Sequence, residues 1–167
     1  MDQLWAPWRL AYVAAAKPPS EDDTCFICRG LAAADDRGQL IAQRTATSVV
    51  LLNRFPYNNG HLLVAPRAHK GQLSELNADE LLQTMETLRQ MVRLLDRLMH
   101  PDGYNIGINL GRVAGAGLPG HLHWHVVPRW EGDTNFMPLL ADAKVISQAL
   151  EALYDLLVTG LQEDVTR

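Results

Sequence analysis

Three histidines occupy alternate positions in the stretch Gly120-His121-Leu122-His123-Trp124-His125-Val126. On a strand, alternate side chains share a face, so His121, His123 and His125 are expected on one side with Leu122, Trp124 and Val126 on the other. A purely structural strand has no use for three imidazoles in a row, because each buried polar group needs a partner. Two chemistries do use such a face. Three imidazoles can hold a catalytic zinc ion and leave a fourth position for water. Alternatively, one imidazole is a nucleophile while its neighbours orient it and bind phosphate oxygens. The adjoining segment 111–120 carries four of the twelve glycines and favours the second reading, since glycine N–H groups can approach an anion closely.

Cys25 and Cys28 are the chain's two cysteines, spaced C-x-x-C. That spacing alone fits zinc, redox chemistry or a buried pair. A thioredoxin-like redox motif wants a strand before it, whereas residues 17–24, with Pro18, Pro19, Ser20 and three acidic side chains, read as a polar linker. Zinc needs two further ligands, and no His or Cys follows at finger spacing, so they must come from a distant part of the chain.

These residues sit in 167 residues that fit one domain. A 47% hydrophobic and 20% charged composition is that of a globular chain, and the formal net charge of −4 argues against non-specific nucleic-acid binding. No run of about 18 apolar residues is present, so no membrane span is expected. The opening Met1-Asp2-Gln3-Leu4-Trp5 lacks a secretory leader's basic and apolar regions, and a cytoplasmic location is expected. The pattern predicts a short helix over 7–15, a tight knuckle at 25–28 and strands over 39–43, 47–52, 61–65, 104–110 and 122–127. A long helix over 78–99 follows from Leu81, Met85, Leu88, Val92, Leu95 and Met99 at helical spacing, with Asn77 as N-cap and His100 as an exposed C-terminal residue. A last helix is expected over 143–157. The sum is an α+β fold with a mainly antiparallel five-stranded sheet, in one domain divided into an extension and linker (1–24), a core (25–140) and a C-terminal helix and tail (141–167).

With its alternating histidines, the chain resembles the histidine triad family of nucleotidyl hydrolases and transferases. Asn53-Arg54-Phe55-Pro56 leading to Gly60-His61-Leu62-Leu63-Val64-Ala65-Pro66 looks like that family's first hairpin, and Asn109 before the glycine loop also fits. Leu4-Trp5-Ala6-Pro7-Trp8-Arg9 and Pro128-Arg129-Trp130 look like its bacterial diadenosine tetraphosphate phosphorylase-like branch. The resemblance implies that His123 attacks an α-phosphorus to form a covalent nucleotidyl-histidine, which water or phosphate resolves. It gives His125 the phosphate or scissile oxygens, His61 a buttressing role, and Asn53 a ribose hydroxyl. Asn109, Gly115 and the rest of the loop would line the phosphate path, and Phe26 and Phe55, with Ile27 and Leu52, are candidate walls of a base pocket or ordinary core. Arg112 and Arg129 are candidates for drawing in polyphosphate, or simply solvated. In zinc-bearing members the C-x-x-C pairs with a histidine after the hairpin and with the first triad histidine, which here are His69 and His121. A structural zinc on Cys25, Cys28, His69 and His121 is therefore expected, as is a homodimer. Four residues before His121 the family commonly carries Gln or Ser, and this chain has Gly117, which removes a side-chain donor. The expected activity is cleavage of a dinucleoside polyphosphate; the alternatives are a purine nucleoside phosphoramidase and a zinc-stabilised nucleotide-binding sensor with little turnover.

Overall fold

The computed structural model describes residues 25–134 and 145–165, so the expected helix over 7–15 lies outside the described residues. Five strands, β1 (Ile41–Arg44), β2 (Ser48–Leu52), β3 (Leu62–Pro66), β4 (Gly103–Ile108) and β5 (Trp124–Arg129), form one sheet in the order β1-β2-β3-β5-β4. Every neighbouring pair is antiparallel. Three helices accompany it: α1 (Phe26–Ala32), α2 (Ala78–Met99) and α3 (Leu150–Val165).

Strands β2 and β3 are buried throughout because the sheet is covered on both faces. Val50, Leu52, Leu62 and Val64 join Leu88, Met91, Leu94 and Leu95 of α2 and Leu153, Leu157 and Leu161 of α3 in one apolar layer. The alternate residues Val49, Leu51, Leu63 and Ala65 pack with Cys25, Ile27 and Ile41 in a second layer. Each Leu, Ile or Val withdrawn from water contributes roughly 1.5–3 kcal/mol. Helix α2 occupies its expected span. Asn77 accepts from the Glu80 N–H, the Glu80 carboxylate accepts from the Asn77 N–H, and His100 caps the other end with φ +47° before Pro101.

Three expectations need correction. The knuckle at 25–28 is the start of a helix, α1, with Cys25 as N-cap. The strand carrying the histidines begins at Trp124, so His121 and His123 precede it. The C-terminal helix starts at Leu150, leaving Val145 exposed outside it, and runs through Val165. Its apolar stripe continues from Leu153 and Leu157 to Leu161, and Gly160 lets it press against α2, where a Cβ would meet Leu94 and Leu98 at 2.9 Å.

Candidate active site and metal centre

The turn between β2 and β3 places His61 opposite β5. Gly60 makes that turn possible: its φ is +75°, and a Cβ there would lie 3.0 Å from both Met99 Sδ and Pro128 Cγ. The Asn53 side-chain oxygen accepts from the Phe55 N–H at 2.9 Å, and its Nδ2 lies 3.3 and 3.4 Å from the two nitrogens of the His61 ring. The Tyr57 N–H donates to His61 Nδ1 at 2.9 Å. His61 therefore carries its proton on Nε2, which donates to His125 Nδ1 at 2.9 Å. Burial, and secondarily the neighbouring His123, hold the His125 pKa down at about 4, so its ring is neutral near pH 7. With Nδ1 accepting, the His125 proton sits on Nε2, a buried atom with no partner among the described residues.

His123 has the complementary arrangement. Its Nδ1–H donates to the His121 carbonyl at 2.8 Å, which leaves Nε2 with an unshared lone pair. Burial lowers its pKa, which keeps that lone pair free. The His123 and His125 rings are 5.1 Å apart. A nucleophilic nitrogen thus stands beside an N–H donor, both held by their second ring nitrogens. Gly115 has φ +90°, and a Cβ there would lie 4.0 Å from the Asn109 side-chain nitrogen, so Asn109 stands near the glycine loop. Gly117 is exposed, and a Cβ there would meet nothing within 4 Å.

The first triad histidine belongs to a second cluster. His121 Nε2–H donates to the Pro66 carbonyl at 2.8 Å, so Nδ1 is the free ligand atom, 3.2 Å from Cys25 Sγ and 3.5 Å from Cys28 Sγ. His69 Nδ1 lies 3.2 Å from Cys28 Sγ. The four ligand atoms all lie within 4.8 Å of one another. Zinc–sulfur bonds near 2.3 Å and zinc–nitrogen bonds near 2.0–2.1 Å give tetrahedral edges of roughly 3.3–3.8 Å, so this soft two-thiolate, two-imidazole set fits a closed zinc site. Burial, then the neighbouring Cys25, pushes the Cys28 thiol up to about 11, so metal binding must displace its proton.

The structure therefore gathers His61, His123, His125 and Asn53 in one group, and Cys25, Cys28, His69 and His121 in another. The two meet through the His121 carbonyl. Phe55 is 81% exposed at its turn and Phe26 is 37% exposed on α1, so both rings are open to solvent, while Ile27 and Leu52 lie in the two apolar layers. Arg112 is exposed, whereas Arg129 is engaged by Asp133 and Asn105. Sequence reasoning did not find Tyr57, whose ring lies 4.6 Å from that of His61 and 5.5 Å from that of His125. The backbone acceptors at Pro66 and His121 also escaped it; only the Pro56-Tyr57 turn beside His61 offered a signal.

The HIT domain family matches residues 37–132. The chain belongs to the HIT family. This HIT protein is 36% identical over 163 residues to the AP-4-A phosphorylase of Mycobacterium tuberculosis, covering 95% of this chain and 84% of that one. It is 31% identical over 96 residues to the asymmetrical bis(5'-nucleosyl)-tetraphosphatase of Schizosaccharomyces pombe, covering 58% and 52%. Its fold superposes with a TM-score of 0.66 on a zinc-bound histidine triad family protein from Mycobacterium smegmatis, at 28% identity over 86% of this chain and 95% of that one. The protein is a HIT-family enzyme of the nucleotide hydrolase and transferase class. No helix of its described residues is long and apolar enough to cross a membrane.

Proposed function

We propose that the enzyme cleaves a dinucleoside polyphosphate, of the diadenosine tetraphosphate kind, at an α-phosphate through a nucleotidyl-histidine. The observation that carries this is the pairing of a lone pair on His123 Nε2 with a proton on the adjacent His125 Nε2. The His123 lone pair forms a bond to the α-phosphorus as the bridging P–O bond breaks. The departing oxygen accepts a hydrogen bond from the neutral His125 Nε2–H and leaves as a polyphosphate anion. The charge left on the His123 ring is stabilised by its Nδ1–H bond to the His121 carbonyl. In the second step water, which gives up a proton to solvent, or inorganic phosphate attacks the phosphorus, and the P–N electrons return to His123.

Asn53 would meet the ribose, the loop from Asn109 through Gly115 and Gly117 the phosphates, and the exposed Phe26 and Phe55 rings the bases. Gly117 offers space and backbone N–H groups where a side-chain donor would narrow the path. Similarity to the mycobacterial phosphorylase over 95% of the chain favours inorganic phosphate as the second acceptor. Cys25, Cys28, His69 and His121 would hold a structural zinc ion that ties α1 to the segment leading into β5, and such thiolates suit a reducing, cytoplasmic compartment. The whole chain would act as one HIT domain. A second copy would pair on the β4 edge, where Ile106 is 48% exposed.

Turnover of diadenosine tetraphosphate with and without inorganic phosphate, with trapping of adenylylated protein, tests the reading. ADP with ATP supports phosphorolysis, and AMP with ATP supports hydrolysis. Loss of the trapped adduct in His123→Ala is expected. Turnover that survives His123→Ala overturns the mechanism, and tight nucleotide binding without turnover turns the reading toward the sensor.

A further inference from the structure

The turn that carries His61 is fastened at a point remote from the reacting groups. Asn58 Nδ2 donates to the Pro128 carbonyl at 3.1 Å and to Asp133 Oδ2 at 2.8 Å. The Asn58 carbonyl in turn accepts from the His61 N–H at 3.3 Å. Asp133 is itself anchored. Arg129 grips it with Nε at 2.6 Å on Oδ2 and a terminal nitrogen at 2.8 Å on Oδ1, and the Trp130 N–H adds a bond at 3.2 Å. These donors, Arg129 first, hold its carboxyl at about 2, so it is an anion at any working pH.

We infer that Asp133 is a positioning residue for the catalytic pair: through Asn58 it holds the Tyr57–His61 turn in the register that fixes the proton of His125 on Nε2. Each step is a hydrogen bond with a defined direction. Asp133 orients the Asn58 amide, and Asn58 pins the turn to the end of β5. The pinned turn presents the Tyr57 N–H to His61 Nδ1, and His61 Nε2–H then occupies His125 Nδ1. If the turn lifts, the Tyr57 N–H leaves His61 and its proton is free to move to Nδ1. His61 Nε2 would then no longer donate to His125, whose Nε2–H loses the constraint that aims it. A displacement near 1 Å at such a site can cost about a hundredfold in rate.

The inference rests on the reading that His125 Nε2–H serves the leaving oxygen, so its test has one readout with substrate and one without. Full-length protein labelled with ¹⁵N at histidine reports the protonation of each ring nitrogen directly. Wild type is expected to show His61 and His125 both as Nε2–H tautomers. Asp133→Ala and Asn58→Ala are each expected to redistribute the His61 proton and to lower kcat ten- to hundredfold, with KM changed less than threefold. The double variant should be no worse than Asn58→Ala, because Asp133 acts on the turn through Asn58. Asp133→Asn keeps an oxygen for Asn58 and Trp130, and is the second variant should Asp133→Ala fail to fold; it should retain the His61 tautomer and most of kcat. A wild-type His61 tautomer in Asp133→Ala and Asn58→Ala, or losses that add in the double variant, overturns the inference. If the tautomers shift as described but wild type turns over no dinucleotide, the positioning stands and the catalytic reading falls.

Discussion

Acidification should cost the protein about 3 kcal/mol of stability through His125 alone. Burial, assisted by His123, holds this imidazole at about 4 in the folded state, against about 6.5 in an unfolded chain. The difference of about 2.5 units, at 1.36 kcal/mol each, is about 3 kcal/mol. The sign follows from which state takes the proton first. Above about pH 6.5 the ring is neutral in both states, so it contributes no pH dependence. As pH falls below 6.5 the unfolded chain binds a proton that the folded site refuses, and stability declines until the folded ring titrates near pH 4.

Urea unfolding from about pH 7.5 to about pH 4, on wild type and on His125→Gln, isolates this contribution. Metal loss and the other histidines act on both proteins and cancel in the difference. Wild type should lose about 3 kcal/mol more than the variant across that window, with the steepest divergence between about pH 6 and pH 4.5. Parallel curves would refute the reasoning, since they would mean that His125 titrates alike in folded and unfolded chains and is not held neutral by its surroundings.

Zinc free at about a thousandfold above its dissociation constant stabilises a folded site by about 4 kcal/mol, so chelation or Cys25→Ser should lower the melting temperature before activity falls; zinc-loaded protein that melts unchanged on chelation speaks against the tie. Gly60→Ala should cost about 2 kcal/mol or more in urea unfolding, because its φ of +75° is left-handed and the new Cβ meets Met99 and Pro128; a loss under 0.5 kcal/mol would show that the turn relaxes freely. Ile106→Asp places charge on the exposed β4 edge and should give a folded monomer by sedimentation; an unchanged dimer would put the interface elsewhere. Arg44→Ala removes the guanidinium that donates to the carbonyls of Gly30, Leu31 and Ala33 at the end of α1, and should weaken zinc retention against a competing chelator about tenfold or more, with retention equal to wild type as the opposing result.

Where the chain carried a strong local pattern, its structure was legible. Helix α2 could be bounded from sequence because Asn77 and Glu80 signal its start and His100-Pro101 its end. Strands β2 and β3 could be found because their apolar runs Val49–Leu52 and Leu62–Ala65 are continuous, and the structure explains that continuity by two core layers. Helix α3 was misplaced because Val145 continues an apolar pattern that tertiary packing does not use. Cys25, Cys28, His69 and His121 converge, as the family resemblance implied, into a cluster that could hold a metal ion. The parts that escaped are contacts made across long sequence separations. Nothing in the types of Pro66 or Asp133 announces that one orients His121 and the other anchors Asn58.

The three alternate histidines look equivalent in sequence, and their backbone surroundings make them different. Each ring has two nitrogens, and in each one nitrogen is spent on orientation. His121 spends Nε2 on the Pro66 carbonyl and turns Nδ1 to the cysteines. His123 spends Nδ1 on the His121 carbonyl and keeps a lone pair on Nε2. His125 spends Nδ1 as an acceptor for His61 and keeps a proton on Nε2. A carbonyl partner leaves a nitrogen with a lone pair, and a donor partner leaves an N–H that can donate a hydrogen bond. Residue type therefore supplies only a capacity, and the polarity of the nearest partner decides whether the remaining nitrogen offers a lone pair or a hydrogen-bond donor. The same logic makes His121 the residue that joins the two clusters: its ring faces the thiols while its carbonyl sets the His123 tautomer. A metal ion held by that cluster would therefore be felt at His123 through that backbone, without any change in the His123 and His125 side chains themselves.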